Sequence, residues 1–307
     1  MSYATPIDNP NPYPINIGVT YPEVWHLCQT AVELAWSPSR DIDFSDLKNA
    51  DLPPEVRAAG AEWWSVRAWM EHVAIAYGAE RLKEAVATHQ PLEVKQQITN
   101  FINEELRHHE ASFRIAEALD QFHASPRSSY MEEIIPSFHD ENHERKLPFL
   151  AGLALNALFE SMSGDLLAPR TRNAKFESIR QICKLIDRDE ARHVQFGRIL
   201  LRYHAKDISD EDKQVIGQVF VKKLRQTLLR GVYSVVNLPE ADRAKAGHVR
   251  ALSAQWGLGA SHPDEEVEIL RGSLKRIREW VEPHGFVIPE VPELDGLPDP
   301  REQPALA

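Results

Sequence analysis

The pattern of apolar and polar positions along the chain predicts a protein built from helices. Apolar residues recur at the three- and four-residue intervals of amphipathic helices, whereas the alternation that is typical of strands is scarce. Prolines divide this pattern, because proline disrupts a helix interior but is accepted in the first turn. Pro169 is therefore expected to end a helix, and Ser209 to cap one. The predicted helices cover residues 22–36, 55–88, 92–122, 148–168, 174–204, 209–236, 240–256 and 263–281.

Four of these helices are long enough to form a bundle, with the shorter ones packed around it. We expect a single domain over residues 1–307, because no stretch rich in Gly, Ser or Pro separates two parts of the chain. The bundle and its lead-in would occupy about 20–235, and C-terminal helices and a proline-rich tail 236–307. A short helix is also predicted near 130–135.

Composition and charge narrow the class of protein. Of the 307 residues, 43% are hydrophobic, which is enough for a large core. The formal net charge of −11 argues against a nucleic acid or an anionic membrane as partner. Cys28 and Cys183 form neither a disulfide framework nor a zinc-ligand pattern. No signal peptide or membrane-spanning stretch is recognisable, so we expect a cytoplasmic protein.

Two predicted helices carry nearly the same motif, in which an acid precedes Glu-x-Arg-His. The copies are Glu104-Glu105-Leu106-Arg107-His108 and Asp189-Glu190-Ala191-Arg192-His193. Residues three apart on a helix differ by about 60° in direction and about 4.5 Å along the axis. A Glu and a His at this spacing can therefore hold one cation from the same helix face. One such motif is common by chance, but two copies with the same flanking residues are specific.

Each of the other two bundle helices offers a single Glu amid apolar neighbours. Glu71 and Glu160 precede the two motifs by similar distances, which suggests a duplicated helix pair. The resulting order is typical of di-iron and di-manganese carboxylate sites, where carboxylates offset the metal charge and imidazoles complete the coordination. The predicted metal ligands are Glu71, Glu105, His108, Glu160, Glu190 and His193.

The two single carboxylates differ in how strongly the pattern supports them. Glu71 would also suit an exposed helix face, in which case Glu62 or Glu80 would be the ligand, but its apolar neighbours favour Glu71. Glu160 is the only acid in the apolar run 147–163, where an unpaired buried carboxylate would be costly. Metal ligation would remove that cost.

The acid before each ligand Glu is a candidate to orient a ligand His. By the symmetry of the motifs, Asp189 would accept the second ring N–H of His108. Glu104 would do the same for His193. Surface salt bridges are the alternative for these acids and for the arginines beside them. The residues considered for this supporting role are Glu104, Asp189, Arg107 and Arg192.

These residues resemble the ferritin-like di-iron carboxylate superfamily, over about residues 20–235. The likeness is closest to the branch with the small subunit of class I ribonucleotide reductase, acyl-carrier-protein desaturases and arylamine N-oxygenases. Residues 188–193 are similar to the fourth-helix signature of the reductase subunit, and residues 104–108 to the second-helix signature of the desaturases. The resemblance implies an all-α fold, a ferritin-like four-helix bundle core with flanking helices, and the six ligands above.

Three departures from the branch narrow the expected function. Radical-bearing reductase subunits carry a tyrosine about one turn beyond the second-helix His, where this chain has Ser112. Related ligand-binding oxidases use a tyrosine near the third-helix Glu, where this chain has Leu155 and Asn156. Arylamine N-oxygenases add a His one turn before the fourth-helix Glu, where this chain has Ile186. A stable tyrosyl radical of the reductase kind is therefore not expected.

The resemblance implies a non-haem di-iron oxygenase or oxidase. It would use O2 for hydroxylation, N-oxygenation, desaturation or oxidative cleavage of a small or medium organic substrate, with two iron ions or a manganese–iron pair. Glu160 and Ser163 are the predicted catalytic residues, because related desaturases and monooxygenases often carry a hydroxyl one turn after that Glu. Small residues nearby would either make room for substrate or allow close helix packing; they are Gly78, Ser161, Gly164 and Gly197.

Partners follow from the same resemblance. Turnover would need electrons from a ferredoxin or a flavin reductase, since the chain shows no Gly-rich nucleotide fingerprint. A homodimer is the expected assembly. Two alternatives remain at this point: a redox or radical-generating subunit of a larger complex, and a non-catalytic metal-binding helical protein.

Overall fold

A computed structural model describes residues 15, 17–124 and 149–296 of the chain. Within these residues the regular structure is helical throughout, without a strand, which confirms the predicted all-α class. The short helix predicted near 130–135 and the proposed start at Pro148 lie outside the described residues. No helix in the described part is both long and apolar enough to cross a bilayer.

Four long helices form the bundle as two hairpins. The first pairs α2 (Pro54–Ala87) with α3 (Leu92–Leu119), and the second pairs α4 (Phe149–Asn173) with α5 (Glu177–His204). Each hairpin has an extensive internal interface, and α3 also meets α5 across the bundle. A preceding helix, α1 (Pro22–Glu33), packs on α3 and α5. Most predicted boundaries are correct to within a few residues.

The prediction that Pro169 ends its helix is wrong. The helix α4 continues through this residue to Asn173. Proline has no N–H for the helical hydrogen bond and crowds the preceding turn, so an internal proline costs stability. Here the turn around it is buried on both sides, with Leu167 and Arg170 each at most 3% exposed. Burial of this turn offsets the local defect, which the sequence pattern alone does not reveal.

The helix predicted over 209–236 is divided in the structure. Its first part, α6 (Asp210–Lys223), is capped as predicted, because the Ser209 hydroxyl accepts a hydrogen bond from the Asp212 amide at 3.0 Å. A π-helical segment (Leu224–Val232) follows, and its helical geometry is interrupted near the end at Gly231, whose φ of 105° favours glycine. The π-helical segment contacts α2, so it brings its side chains to the side of the bundle.

Two further helices cover the bundle from the C-terminal part of the chain. The helix α7 (Glu240–Gln255) packs on α2, and α8 (Pro263–Val281) packs on α4. Along α3 and α5 the buried side chains fall into three layers. Apolar clusters lie toward both ends, and a layer of buried acids and histidines lies between them. Buried ionised groups of this kind require partners or a metal.

Candidate metal centre

The structure brings the six predicted ligands together in this polar layer. The helices α2 and α4 each supply one carboxylate, while α3 and α5 each supply a Glu and a His. Their ligand atoms form two groups, and within each group all of them lie within 4.8 Å of one another. One group is Glu71, Glu105, His108 and Glu190, and the other is Glu105, Glu160, Glu190 and His193.

Glu105 and Glu190 belong to both groups, so these two carboxylates can bridge a pair of cations. The remaining four residues divide into one Glu and one His for each position. Nδ1 of His108 and one oxygen of Glu105 are buried and have no hydrogen-bond partner among the described residues. Unsatisfied buried polar atoms are costly, and a cation at this point accounts for both of them. The donor set therefore fits a di-metal centre.

Both imidazoles turn Nδ1 toward the shared carboxylates. Nδ1 of His193 lies 3.3 Å from an oxygen of Glu105 and 3.3 Å from an oxygen of Glu190. Nδ1 of His108 lies 3.6 Å and 3.7 Å from oxygens of the same two residues. With the proton on the outer Nε2, each ring presents a free Nδ1 lone pair to the centre, as metal coordination requires.

The outer nitrogens meet the two acids that the symmetry of the motifs predicts. Nε2 of His193 lies 2.8 Å from Glu104, and Nε2 of His108 lies 3.3 Å from Asp189. Both acids are fully buried, so they do not form the surface salt bridges that were the alternative. The crossed arrangement ties the two hairpins together, because each acid lies on one hairpin and orients a histidine of the other.

Three further side chains hold these acids in position. The indole N–H of Trp36 donates to Asp189 at 2.8 Å. Arg192 donates to both acids, and its Nε reaches Glu104 at 3.1 Å. Arg107 is more distant, 3.6 Å from an oxygen of each acid. The predicted pairing of the two arginines with the two acids is therefore present in the structure.

The pKa values of the clustered carboxylates diverge. Burial raises the pKa of Glu105 to about 7, and burial together with the charge of Glu190 raises the pKa of Glu160 well above its usual value. Burial also opposes ionisation of Glu190, but hydrogen bonding and charge from His193 outweigh it and lower the pKa to about 2. Carboxylates crowded in this way compete to ionise, and divalent cations remove the conflict.

The pKa values of both ligand imidazoles are raised. Burial disfavours the charged ring of His108, yet the hydrogen bond to Asp189 and the negative charges of Glu105 and Glu190 outweigh it and raise the pKa to about 10. The pKa of His193 is likewise raised well above its usual value, through Glu104 and Glu190. In the metal-free protein, protons on these rings partly offset the carboxylates. Metal binding would displace them.

The structure selects Glu71 among the three candidates on α2. Glu71 is 5% exposed and belongs to a ligand group, whereas Glu62 and Glu80 belong to neither. Nη2 of Arg67, one turn earlier on the same helix, donates to Glu71 at 2.6 Å. The charge of this carboxylate is therefore balanced on its own helix.

A cavity of about 90 Å³ lies beside the ligands on the side of Glu71 and Glu160. Apolar surface makes up most of its wall, which also includes polar and charged side chains such as Ser163 and Lys223. Ser112, which stands where a radical tyrosine of the reductases was expected, is buried. Leu155 and Asn156, which stand where a tyrosine of the ligand-binding oxidases was expected, both line the cavity. Largely apolar cavities with some polar groups are typical of ligand sites.

The small residues near the ligands divide between the two roles considered for them. Only Ser163 lines this cavity; Ser161 donates to the carbonyl of Ala157 within its own helix. A Cβ on Gly78 would meet side chains of α3, and one on Gly197 would overlap Ala157 of α4. At both glycines the structure therefore favours close helix packing, which was one of the two roles considered for them.

Two residues of the cavity wall come from a part of the chain where the sequence showed no motif. Tyr233 follows the π-helical segment and lines the cavity together with Ser163, and Lys223 ends α6 with 3% exposure. Burial raises the pKa of Tyr233 to about 12 and lowers that of Lys223 to about 8. The sequence gives no periodic signal for the π-helical segment, because its i→i+5 hydrogen bonds do not keep the residue spacing of an α-helix.

Comparison with known proteins gives structural neighbours only. No family model matches the chain, and no curated protein matches it in sequence. Among solved structures, an R2-like ligand-binding oxidase variant with a Mn/Fe cofactor is similar at a TM-score of 0.61 and 17% identity, covering 85% of this chain and 94% of that one. Another variant, with an Fe/Fe cofactor, is similar at 0.60 and 15%, covering 85% and 93%.

A third solved structure is similar to this chain in fold at comparably low sequence identity. It is an R2-like ligand-binding oxidase variant with an anaerobically reconstituted Mn/Fe cofactor, with a TM-score of 0.58, 16% identity and coverage of 88% and 95%. Identities this low establish the fold and not the reaction. The chain has the ferritin-like helical fold of the R2-like ligand-binding oxidases, as its motifs predicted.

Proposed function

We propose that the chain is a non-haem di-metal oxidoreductase that uses O2 to oxidise a small or medium organic substrate. The observation that carries this proposal is the pair of four-residue ligand groups that share Glu105 and Glu190 beside a largely apolar cavity. Hydroxylation, N-oxygenation, desaturation and oxidative cleavage are the reactions that such a centre supports. The site itself does not distinguish among them.

Two iron ions are the proposed cofactor, with a manganese–iron pair as the alternative. The carboxylate and imidazole donors suit both metals, and the solved neighbours carry Mn/Fe or Fe/Fe cofactors. When bound in their reduced form, the metals would supply Lewis acidity and the electrons that reduce O2, which is the oxidant of the reaction. The six ligands would be Glu71, Glu105, His108, Glu160, Glu190 and His193.

The cavity side of the centre is where the protein would bind and orient substrate. Glu160 is the most exposed of the six ligands, at 9%, and it has no Lys or Arg partner among the described residues. Its carboxylate would therefore be the ligand best able to change position during turnover. Ser163, one turn later, lines the cavity together with Tyr233, and its hydroxyl would hold or pass a proton. Leu155 and Phe159 would exclude water.

Several properties of the whole protein belong to the same proposal. Electrons would come from an external donor, a ferredoxin or a flavin reductase. The chain would act as a cytoplasmic homodimer on a small-molecule substrate, without a nucleic acid or membrane partner. The cavity supports this interpretation over a radical-generating subunit or a non-catalytic metal protein, because neither of those needs an apolar space beside the ligands.

The decisive experiment combines metal content with O2 uptake. The full-length chain is loaded anaerobically with ferrous iron and desalted, and the iron per chain is measured. The reduced protein then receives O2. We expect two irons per chain and stoichiometric O2 consumption, after which the same sample is screened for oxidation of organic substrates. Parallel loading with manganese and with mixed metals tests the alternative cofactor.

A matched pair of variants gives the control. Glu105→Ala combined with Glu190→Ala removes both shared ligands and is expected to lose both metals. Glu110→Ala alters a half-exposed acid on α3 that pairs with Arg114, so it should retain them. Failure of the native chain to retain iron, manganese or a mixture would contradict the proposal. Two metals without O2 uptake would instead support the non-catalytic alternative.

A further inference from the structure

A second group of buried charges lies one turn along α2 from the metal ligands. It consists of Arg67 on α2, Arg170 on α4, Arg250 on α7 and Glu266 on α8, and each is at most 4% exposed. Three buried arginines and one buried acid leave an excess of positive charge. This group takes no part in holding the proposed metals, apart from the contact of Arg67 with Glu71.

Two of the three arginines have anionic partners. Arg250 meets both oxygens of Glu266, at 2.9 Å and 2.8 Å, and donates to two backbone carbonyls of the π-helical segment. Arg67 donates to Glu71 through Nη2. Arg170, only 2% exposed, has no ion pair or side-chain hydrogen bond in the described part of the chain. The guanidinium of Arg170 is therefore the positive charge of this group that lacks an anionic partner among the described residues.

Three buried N–H groups of these arginines are unsatisfied. Nη1 of Arg67, and Nε and Nη2 of Arg170, have no acceptor among the described residues. A buried donor without an acceptor costs about 1–3 kcal/mol, and more when it carries charge. Native structures contain few such groups, and those that occur call for a water or an ion. Two guanidinium groups with free donors therefore point to an anion.

The unsatisfied donors belong to neighbouring side chains. The Arg170 guanidinium lies over the ring of Trp63 at 5.1 Å from the centroid, and Trp63 is one turn before Arg67 on α2. Arg250 lies over the same ring at 4.7 Å. Burial and the nearby charge of Arg67 lower the pKa of Arg170 to about 10. The two arginines therefore belong to one buried group of like charge around Trp63.

We propose that Arg67 and Arg170 together bind a small monovalent anion, of which chloride is the simplest. A water molecule would satisfy donors but would leave the positive charge of Arg170 uncompensated. The near-complete burial of both side chains favours a halide over an organic acid. The site is distinct from the proposed metal centre and goes beyond the proposed function. Because Arg67 also holds Glu71, the anion would fix the orientation of that arginine.

Crystallography with bromide tests the location. Crystals of the full-length chain are soaked in sodium bromide, and anomalous differences are measured at the bromine edge. We expect a peak within contact distance of Nη1 of Arg67 and of Nε and Nη2 of Arg170. Crystals of Arg170→Met should lack it. Absence of the peak in the native crystals, or a water in its place, would overturn the proposal.

Thermal unfolding tests whether the anion binds in solution. We compare the Tm in about 0.1 M sodium bromide and in sodium gluconate of equal ionic strength, and expect bromide to raise it by about 2–4 °C in a saturable manner. The Arg170→Met variant should lose this bromide-specific rise. Arg114→Met, at a half-exposed arginine on α3, should keep it. If Arg170→Met does not fold, Arg170→Lys, which keeps the charge but loses the fork of donors, should reduce the rise.

The outcomes separate this site from the metal centre. The bromide response is measured in metal-free and in metal-loaded protein, so failure of metal binding leaves the halide test intact. A native response that Arg170→Met does not diminish would place the anion elsewhere and overturn the proposal. A crystal peak without any effect on Tm would identify an adventitious ion only, with the same consequence.

Discussion

The two hairpins of the bundle carry the same ligand pattern in different surroundings. In the first hairpin, Glu71 is balanced by Arg67 on its own helix at 2.6 Å. In the second, Glu160 has no such cation among the described residues, although both carboxylates border the cavity. The repeat in the sequence therefore supplies a symmetric set of ligands, while neighbouring side chains balance the charge of only one of the two single carboxylates.

The shared carboxylates show the same asymmetry in their protonation. The pKa of Glu105, from the first hairpin, is raised to about 7, whereas that of Glu190, from the second, is lowered to about 2. Of the two shared carboxylates, Glu105 is therefore the one that holds a proton more readily in the metal-free protein. The two carboxylates have equivalent places in the motif, so the difference comes from the hydrogen bonds and charges around each.

The largest expected effect is a loss of stability of the metal-free protein as pH rises. The folded pKa of Glu105 lies above its usual 4.5, so its contribution is complete below pH 4.5 and is lost as pH rises to about 7. For His108, with a folded pKa of about 10, the contribution is lost between about pH 6.5 and 10. Each group changes the free energy of unfolding by about 1.4 kcal/mol per pH unit within its window.

Urea unfolding of the metal-free protein between pH 5 and 9 measures this effect. Glu105→Gln should flatten the part of the curve between about pH 5 and 7. Because Glu105 also raises the pKa of His108, the variant should in addition move the upper part of the curve to lower pH. In the metal-loaded protein the protons are displaced, so the difference in Tm between loaded and metal-free forms should widen with pH. A metal-free protein that gains stability from pH 5 to 9 would contradict the assigned protonation.

The variants Glu71→Gln and Glu160→Gln directly test this difference in charge balance. In the metal-free protein, Glu71→Gln leaves the buried Arg67 without its anion and should destabilise the fold by about 3–5 kcal/mol. Glu160→Gln replaces a carboxyl that is already protonated over a wide pH range, so it should change stability by less than about 1 kcal/mol. Urea unfolding at pH 7 compares the two. Equal effects would show that the two halves are not different in this respect.

Some parts of this site could be predicted from the sequence, because they depend on residues close together on one helix. Glu105 and His108 lie on one helix, so their spacing alone defines a common face. The crossed contacts of Glu104 and Asp189 followed from the repeat. In contrast, Tyr233 reaches the cavity through a π-helical segment. The role of Arg67 as partner of Glu71 could be recognised only once both side chains were seen to be buried side by side. Contacts between distant segments, and departures from regular helix geometry, leave no periodic trace.

The supporting acids provide a smaller and more local test. Asp189→Asn removes the anion beside His108, and Glu104→Gln removes the one beside His193, so each variant should weaken metal binding by about 10–100-fold. The effects should fall on different metal positions, since the two histidines belong to different ligand groups. Competition with a metal chelator measures both affinities.

The control for these variants is Glu110→Gln, on the same helix as Glu104 but half-exposed. It should leave both affinities unchanged. If Asp189→Asn and Glu104→Gln weakened the same metal position, the crossed arrangement of the two hairpins would be wrong. If neither changed the affinity, the acids would serve the fold and not the metals.

The smallest expected effect concerns packing within each hairpin. A Cβ on Gly78 would meet Ile102 at 2.7 Å and Phe101 at 2.9 Å, and these are side-chain atoms that can move. A Cβ on Gly197 would overlap Ala157, whose backbone lies within 3.3 Å, so α4 itself would have to shift. Gly197→Ala should therefore cost about 2–3 kcal/mol and Gly78→Ala about 1 kcal/mol.

Gly164 offers a matched control, because a Cβ there meets nothing within 4 Å and alanine should stabilise the helix by about 0.5–1 kcal/mol. The stability order, measured by urea unfolding, should be Gly164→Ala above native, then Gly78→Ala, then Gly197→Ala. Ala157 is one turn before Glu160, so a shift of α4 would also displace the carboxylate of Glu160. Gly197→Ala should then weaken metal binding more than Gly78→Ala does. A Gly197→Ala variant with native stability and affinity would show that α4 has room to move, contrary to the close contact seen between the helices of the second hairpin.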